Sequence, residues 1–421
     1  MILSLDVLRA RKGDCLIIHY GSKNDPGLAL IDGGPAQVYS KYLKPRLTKI
    51  RNARSLDEEK SLSVDLLMIS HIDDDHINGI LELSKELIIA KDSMQPSPLK
   101  VRSFWHNTFD DIIGNNSDEL LSAFTSSFGP AAISGEIYTE GLDPDVAMVL
   151  SSVSQGFRLR DDAKKLKLRI NPEFGGKLIK ATDAKKSIDF GKGLKLTVVG
   201  PMQAELVALQ KVHDAFLRKH KNDKTTKAAL ASFSDASVAN LSSLVVLAEA
   251  GKKRMLLTGD ARGDKILKGL EHLSLLKKGS KMHVDVLKIP HHGSDRNIDP
   301  VFFRRITADH YVFSGNGENG NPERETLQML LNESENEEFT IHLTYPIKEI
   351  DIEREKDWMK EQQKEKIRKK KDPRVKVRVD WSSQEHSLTS LFEAHKDFAR
   401  KVSVVEEEEP HVINLLDELG F

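Results

Sequence analysis

The stretch Ser70-His71-Ile72-Asp73-Asp74-Asp75-His76-Ile77-Asn78-Gly79 places five ligand-type side chains within six residues. A hydrophobic core does not gather uncompensated carboxylates. Bound cations would relieve the repulsion between Asp73, Asp74 and Asp75, and a mixture of imidazole and carboxylate suits zinc, manganese or iron. The competing reading is an acidic loop with two solvated histidines.

The residues on either side sharpen the choice. Val64 to Ser70 is a short, mainly apolar run whose length suits a buried strand. Gly79 to Ala90 has helical spacing, so the cluster lies between a strand and a helix. Further toward the N-terminus, Ile2 to Leu8, Cys15 to Tyr20 and Leu28 to Ile31 read as a β-meander punctuated by Gly13-Asp14 and Asp32-Gly33-Gly34. Residues 36–51 read as a helix. The stretch from about 91 to 192 reads as an insertion of helices and loops. Beyond it, strand signals return at Leu194 to Pro201, Leu244 to Ala248, Arg254 to Thr258, Val284 to Ile289 and Tyr311 to Ser314. Strands and helices alternate in both halves, which predicts an α/β protein with sheets inside and helices outside.

Two distant pieces supply further ligands. Leu256-Leu257-Thr258-Gly259-Asp260 is an apolar strand ending in a carboxylate. Lys288-Ile289-Pro290-His291-His292-Gly293-Ser294 puts paired histidines at another strand end. Loops along one rim of a sheet system are where such sites are assembled. By contrast, His106 reads as a partly buried structural residue, and His213 and His220 as solvated positions on a polar helical segment.

The bulk numbers narrow the class. A hydrophobic content of 39% over 421 residues permits a large core, and a net charge of −1 gives no global pull toward nucleic acid or membrane. The single cysteine, Cys15, rules out an intrachain disulfide and fits a reducing compartment. Residues 1–10 lack a secretion-signal pattern, and no apolar run approaches the roughly 20 residues needed to span a bilayer. A cytoplasmic protein without a membrane partner is expected. Arg354 to Lys371 is dense in Lys, Glu and Gln and reads as a solvated helix or linker, with a basic arm touching nucleic acid as the alternative because Arg368 to Lys371 is locally positive. Val412 to Phe421 is expected to be a docking helix.

In motif order the chain resembles the metallo-β-lactamase superfamily, most closely the branch typified by the hydrolase domain of ComEC-type DNA-uptake proteins. The matching pieces are Gly13-Asp14, Leu30-Ile31-Asp32-Gly33-Gly34, the His71 cluster with Asp at its third position, Val198 to Pro201, Asn240 to Val245, Leu257 to Asp260, and His291 to Ser294. The likeness covers roughly residues 1–332 apart from the insertion. It implies a four-layer αβ/βα sandwich over residues 1–350, with the insertion at about 91–192 and a charged helical extension over 351–421.

The resemblance also implies a two-metal site holding zinc or manganese. His71 and Asp73 would serve one metal, Asp75 and His76 the other, and Asp260 would bridge them. His292 would be a further ligand and His291 a substrate contact or proton donor, an order that could be reversed. Asp32 would hold a ligand histidine from beneath. Asp75 would orient the attacking hydroxide activated by the two metals. Asn240, Ser243 and Asn321 are candidate substrate contacts. Asn321 stands where the ComEC-like pattern has histidine in Gly-His-Pro, since this chain reads Gly320-Asn321-Pro322.

The implied activity is phosphodiester hydrolysis, with nucleic acid or a nucleotide as substrate, and a protein partner through the C-terminal extension is a further expectation. A hydrolase of a small ester, lactone or thioester is the alternative within enzymes, and a metal-binding interaction protein with little catalysis the alternative outside them. Salt dependence separates the first two, because a polyanionic substrate binds more weakly as salt rises. Metal binding without turnover would mark the third.

Overall fold

The structure is a computed structural model. It describes the chain apart from residues 58–59, 108–143, 183–186, 208–239, 241, 335–337 and 408, and describes the backbone alone for residues 144–153. His213 and His220 lie outside the described residues.

Two mixed sheets form the centre. The first contains β1 (Ile2–Val7), β2 (Leu16–Gly21), β3 (Pro26–Ile31), β4 (Leu62–Met68) and β5 (Leu99–Trp105), with β14 (Val412–Asn414) on the outer edge of β1. The second contains β6 (Ser187–Gly191), β7 (Leu194–Gly200), β8 (Val245–Ala250), β9 (Lys253–Leu257), β10 (Met282–Lys288), β11 (Ile306–Phe313), β12 (Thr340–Leu343) and β13 (Val402–Val404), in the order β13-β12-β11-β10-β9-β8-β7-β6. Pairing is antiparallel from β1 to β3 and parallel from β3 to β5. In the second sheet it is antiparallel from β6 to β9 and parallel from β9 to β13.

Three apolar clusters define the layering. One lies between the sheets and draws on both, with Leu5, Ile18 and Met68 from the first and Leu196, Val246 and Leu257 from the second. A second covers the outer face of the first sheet with α1 (Lys44–Ala53), α2 (Asp74–Asp92) and α3 (Pro144–Leu166). The third covers the outer face of the second sheet with α4 (Gly263–His272), α5 (Pro300–Arg305), α6 (Arg324–Glu333) and the start of α7 (Ile347–Lys371). The buried run of β2 and the Val284–Lys288 stretch of β10 follow from packing on both faces of each sheet, whereas on β1 the alternate residues Ser4 and Asp6 are buried in polar contacts, with Asn414 and with His19 and Arg46. Among the described residues, no helix is long and apolar enough to cross a membrane.

Three segments differ from the sequence reading. The stretch read as an insertion of helices and loops does hold a helix, α3, which packs on α2 through Ser84 Oγ donating to Asp162 Oδ2 at 2.6 Å, but it also contributes β5, whose register runs from Leu62↔Leu99 to Met68↔Trp105, and β6, paired with β7. The expected docking helix at Val412 to Phe421 is instead strand β14, antiparallel to β1. An edge strand leaves a row of backbone groups unpaired, and this short return satisfies those of β1. The charged helix forms as α7, but the chain beyond it supplies β13 to one sheet and β14 to the other.

The rim is built from strand ends. Asp32 follows β3, Ser70-His71 follow β4, Asp260 follows β9, His291-His292 follow β10 and Ser314 follows β11. Asp14 precedes β2, whose first residue pairs with the last of β3 (Leu16↔Ile31), so it reaches the same rim. The two sheets are joined there by Leu244 N–H donating to Ser70 O at 2.8 Å. Gly259 permits this closeness, because its φ is 49° and a Cβ would stand 2.9 Å from that of Ser70.

Candidate metal centre

Helix α2 begins at Asp74, five residues earlier than its spacing suggested, so Asp74 and Asp75 occupy its first turn. Carboxylates are favoured there by the unpaired N–H groups of the helix start. Asp73 precedes the helix with extended backbone, which turns its side chain toward His71. The Gly13-Asp14 turn lies directly against this loop, since a Cβ on Gly13 would meet Asp75 O at 1.8 Å. His291 and His292 both adopt left-handed backbone, with φ of 46° and 53°. Non-glycine residues hold such conformations at a cost, and they concentrate at functional sites.

Asp260 is the centre of the arrangement. Its Oδ1 lies 3.3 Å from His76 Nε2 and 3.4 Å from His292 Nε2. Its Oδ2 lies 3.7 Å from His71 Nε2 and 3.6 Å from His291 Nε2. Asp73 Oδ2 stands 3.4 Å from His71 Nε2, while Asp75 stands 3.7 Å from His292 Nε2 and 3.9 Å from His76 Nε2. The sequence-derived ligands His71, Asp73, Asp75, His76, Asp260 and His292 therefore converge. Their imidazoles divide between the two oxygens of Asp260, with His76 and His292 at Oδ1 and His71 at Oδ2.

A buried polar atom without a partner costs roughly 1–3 kcal/mol. Among the described residues, Nε2 of His71, His76 and His292 and Oδ1 of Asp260 are all buried without a hydrogen-bond partner. Donors bound to one ion at about 2.1 Å stand about 3.4 Å apart at tetrahedral corners, close to the separations around Asp260. The cluster can hold a metal ion.

Behind the converging atoms stands a second set of contacts. His76 Nδ1 donates to Asp32 Oδ2 at 2.9 Å, and Asp32 also accepts from Ser70 N and Ser70 Oγ, both at 2.7 Å. Sequence reading placed Asp32 here but missed Asp14, Lys288, Ser70 and Ser314. Asp14 faces the Nδ1 atoms of His292 (3.4 Å) and His76 (3.8 Å). It is engaged by Lys288 Nζ and by the Ser314 hydroxyl, which makes it a support for the imidazoles rather than a ligand. Lys288 is 1% exposed and also donates to Gly259 O at 3.2 Å. The Gly13-Asp14 motif was a visible signal; a lysine closing a strand was not.

Asn240 and Ser243, expected to contact substrate, are buried and used internally. Asn240 Nδ2 lies 3.3 Å from His291 Nδ1, and Ser243 Oγ accepts from Asp260 N at 3.2 Å. Asn321 is buried with its Oδ1 unpartnered, beside Pro322, whose ring lines Gly293 next to His292. His106 is buried with its ring 4.5 Å from that of Phe104.

Burial opposes charge on His76, yet Asp260 and Asp32 outweigh it and hold the imidazole protonated well above its usual range. His292, likewise buried, is pushed up to about 9 by Asp260 and Asp14. Burial would raise Asp260, but His292, His76, His291 and His71 hold it well below the ordinary carboxylate value. His291 moves the other way, lowered chiefly by burial. A divalent cation would displace protons from His76 and His292, so metal binding and proton release are linked.

No family model matches the chain. A 54-residue stretch is 46% identical to microtubule-associated protein 1A of Rattus norvegicus, and the same holds for the Mus musculus protein. A 63-residue stretch is 44% identical to the Homo sapiens protein. These matches cover 13–14% of this chain and 2% of each relative, and they assign neither family nor activity.

Proposed function

We propose that the chain is a divalent-metal-dependent hydrolase of the metallo-β-lactamase fold, similar to the ComEC-like branch, and that it cleaves phosphodiesters. The observation carrying this reading is the division of ligands around Asp260, with buried, unpartnered Nε2 atoms aimed at both of its oxygens. His71 and Asp73 would hold one zinc or manganese ion, Asp75, His76 and His292 the other, and Asp260 both. Ions bound there supply Lewis acidity and bring the pKa of a water toward neutrality.

The chain's own residues divide the remaining work. The two adjacent histidines are wired oppositely. Ser314 gives its hydroxyl proton to Asp14, so its oxygen accepts from His292 Nδ1–H at 3.0 Å and leaves His292 Nε2 free as a ligand. Asn240 donates to His291 Nδ1, which leaves the proton on His291 Nε2. His291 is the more open of the pair, with a side chain 24% exposed against 2%. It can donate to the oxygen that gains charge as the ester bond breaks. Asp75, at 16% exposure beside His292, orients the attacking water.

The test is hydrolysis of bis-(p-nitrophenyl) phosphate after chelation and re-addition of zinc or manganese, with Asp75→Asn as control. Metal-restored turnover that is absent from the variant supports the reading. A folded, metal-loaded protein that cleaves only small carboxylic esters, or nothing, overturns it.

A further inference from the structure

Helix α7 starts in the body and leaves it. Only Ile350 and Arg354 are buried along its 25 residues. Arg354 anchors its base, donating to Gly320 O at 3.1 Å and to His386 O at 2.7 Å. Gly320 belongs to the loop carrying Asn321 and Pro322, beside His292, so α7 springs from the same rim as the metal centre.

The free part of α7 is braced. After a turn at Asp372, the chain runs back along the helix. Trp358 Nε1 donates to Val379 O at 2.9 Å, and Gln362 Nε2 to Arg378 O at 3.1 Å. Glu365 accepts from Arg378 N at 2.7 Å and Nε at 3.0 Å. The rings of Trp358, Trp381 and His386 pack together at its base. A solvated helix needs no such backing.

The tip is strongly positive although the whole chain carries a net charge of −1. Arg368, Lys369, Lys370, Lys371, Arg374 and Lys376 are all exposed. Arg374 pairs with Asp372 at 2.9 Å, while the other five form no ion pair among the described residues. At about 1.5 Å rise per residue, Arg368 stands roughly 20 Å along the helix from Arg354.

We infer that this arm grips the phosphate backbone of a polymeric nucleic acid whose scissile bond lies in the metal centre. The inference rests on the phosphodiesterase reading and narrows its substrate class. A rigid cationic tip held about 20 Å from the rim serves no mononucleotide. It suits a strand of about six or more nucleotides, at about 3.4 Å per step along each strand of a duplex. The tip supplies affinity without sequence preference, since backbone contacts position a chain and do not read it.

The experiment measures binding of fluorescein-labelled single-stranded oligonucleotides of 4 and 30 residues to the full chain, held in chelator so that cleavage cannot interfere. Wild type is compared with Lys369→Ala/Lys370→Ala/Lys371→Ala, and bis-(p-nitrophenyl) phosphate turnover is followed separately with metal restored. The expected result is a loss of about tenfold or more on the 30-mer, little change on the 4-mer, and a salt slope shallower by about 2, at about 0.7 per lost phosphate contact. Model-ester turnover should be unchanged. Equal 30-mer affinity in both proteins overturns the inference. So does a variant that keeps its oligonucleotide affinity while losing affinity for phosphatidylserine vesicles, which would assign the arm to a membrane surface. Failure of model-ester turnover in wild type counts against the phosphodiesterase reading alone, because the binding comparison does not use it.

Discussion

Asp32 accepts a hydrogen bond from His76 Nδ1 at 2.9 Å, with both side chains buried. The contact fixes which imidazole nitrogen carries a proton and directs Nε2 at Asp260. Partners of this kind change metal affinity about 10–100-fold when removed. Asp32→Asn should therefore weaken zinc or manganese binding by that factor while the protein stays folded. Competition with a chromophoric chelator measures it, and wild-type affinity in the variant would deny Asp32 this role.

Asp260 faces both halves of the site, so its loss should change the number of ions bound as well as the affinity. On the proposed two-ion reading, wild type is expected to retain two ions and Asp260→Asn at most one. Native mass spectrometry at saturating zinc gives the count. Two ions bound to the variant would show that neither position depends on the shared carboxylate.

Lys288 and Asp14 form a buried ion pair within the same site. Removing Lys288 leaves Asp14 buried with less compensation, since only His292 and His76 among the described cationic groups still face it, at up to about 3–5 kcal/mol, whereas replacing both with neutral groups costs less. Lys288→Met alone should strongly lower the urea midpoint of the metal-free protein. Adding Asp14→Asn should restore most of that loss. Additive losses in the double variant would mean the two charges do not stabilise each other.

The legible part of this architecture was the part written in local pattern. The ten-residue stretch from Ser70 to Gly79 and the strand ends with Asp260 and His291-His292 pointed to side chains that the fold brings together, because ligand-type residues gathered at strand ends are visible in local sequence. The α/β alternation likewise followed from the short apolar runs. Support residues were harder to see. Lys288 closes a strand as countless surface lysines do, and only the folded chain brings it to Asp14, far away in sequence. Strand β14 was missed because three residues carry no periodicity, and the decision rested on the unpaired edge of β1. Strand β5 was obscured by Lys100 and Arg102, which alternate outward from an edge strand.

A chain of three histidines outside the metal centre gives the pH prediction. His310 Nδ1 lies 3.0 Å from His342 Nε2, and His342 Nδ1 lies 2.7 Å from His411 Nε2, linking β11, β12 and the approach to β14. Both ring nitrogens of His342 are thus occupied by other imidazoles. Burial, followed by charge on His411 and His310, lowers its pKa to about 3. Burial also lowers His310 and His411. Asp309 and Asp285 oppose the shift at His310 while Lys253 adds to it, and Asp6 and Glu406 oppose it at His411. An unfolded histidine titrates near 6.5. Between about pH 6.5 and 3 the unfolded chain therefore binds more protons at this position than the folded one, so stability rises with pH across that window. The contribution of His342 is complete above about 6.5 and is lost as pH falls toward 3. His342→Gln, which removes the titration but keeps polar atoms, should lose less stability than wild type between pH 7 and pH 5. Urea unfolding of both proteins in chelator gives the comparison, and His76 and His292, whose shifts run the opposite way, cancel in the difference. Equal losses in the two proteins would mean that acid enters the fold elsewhere.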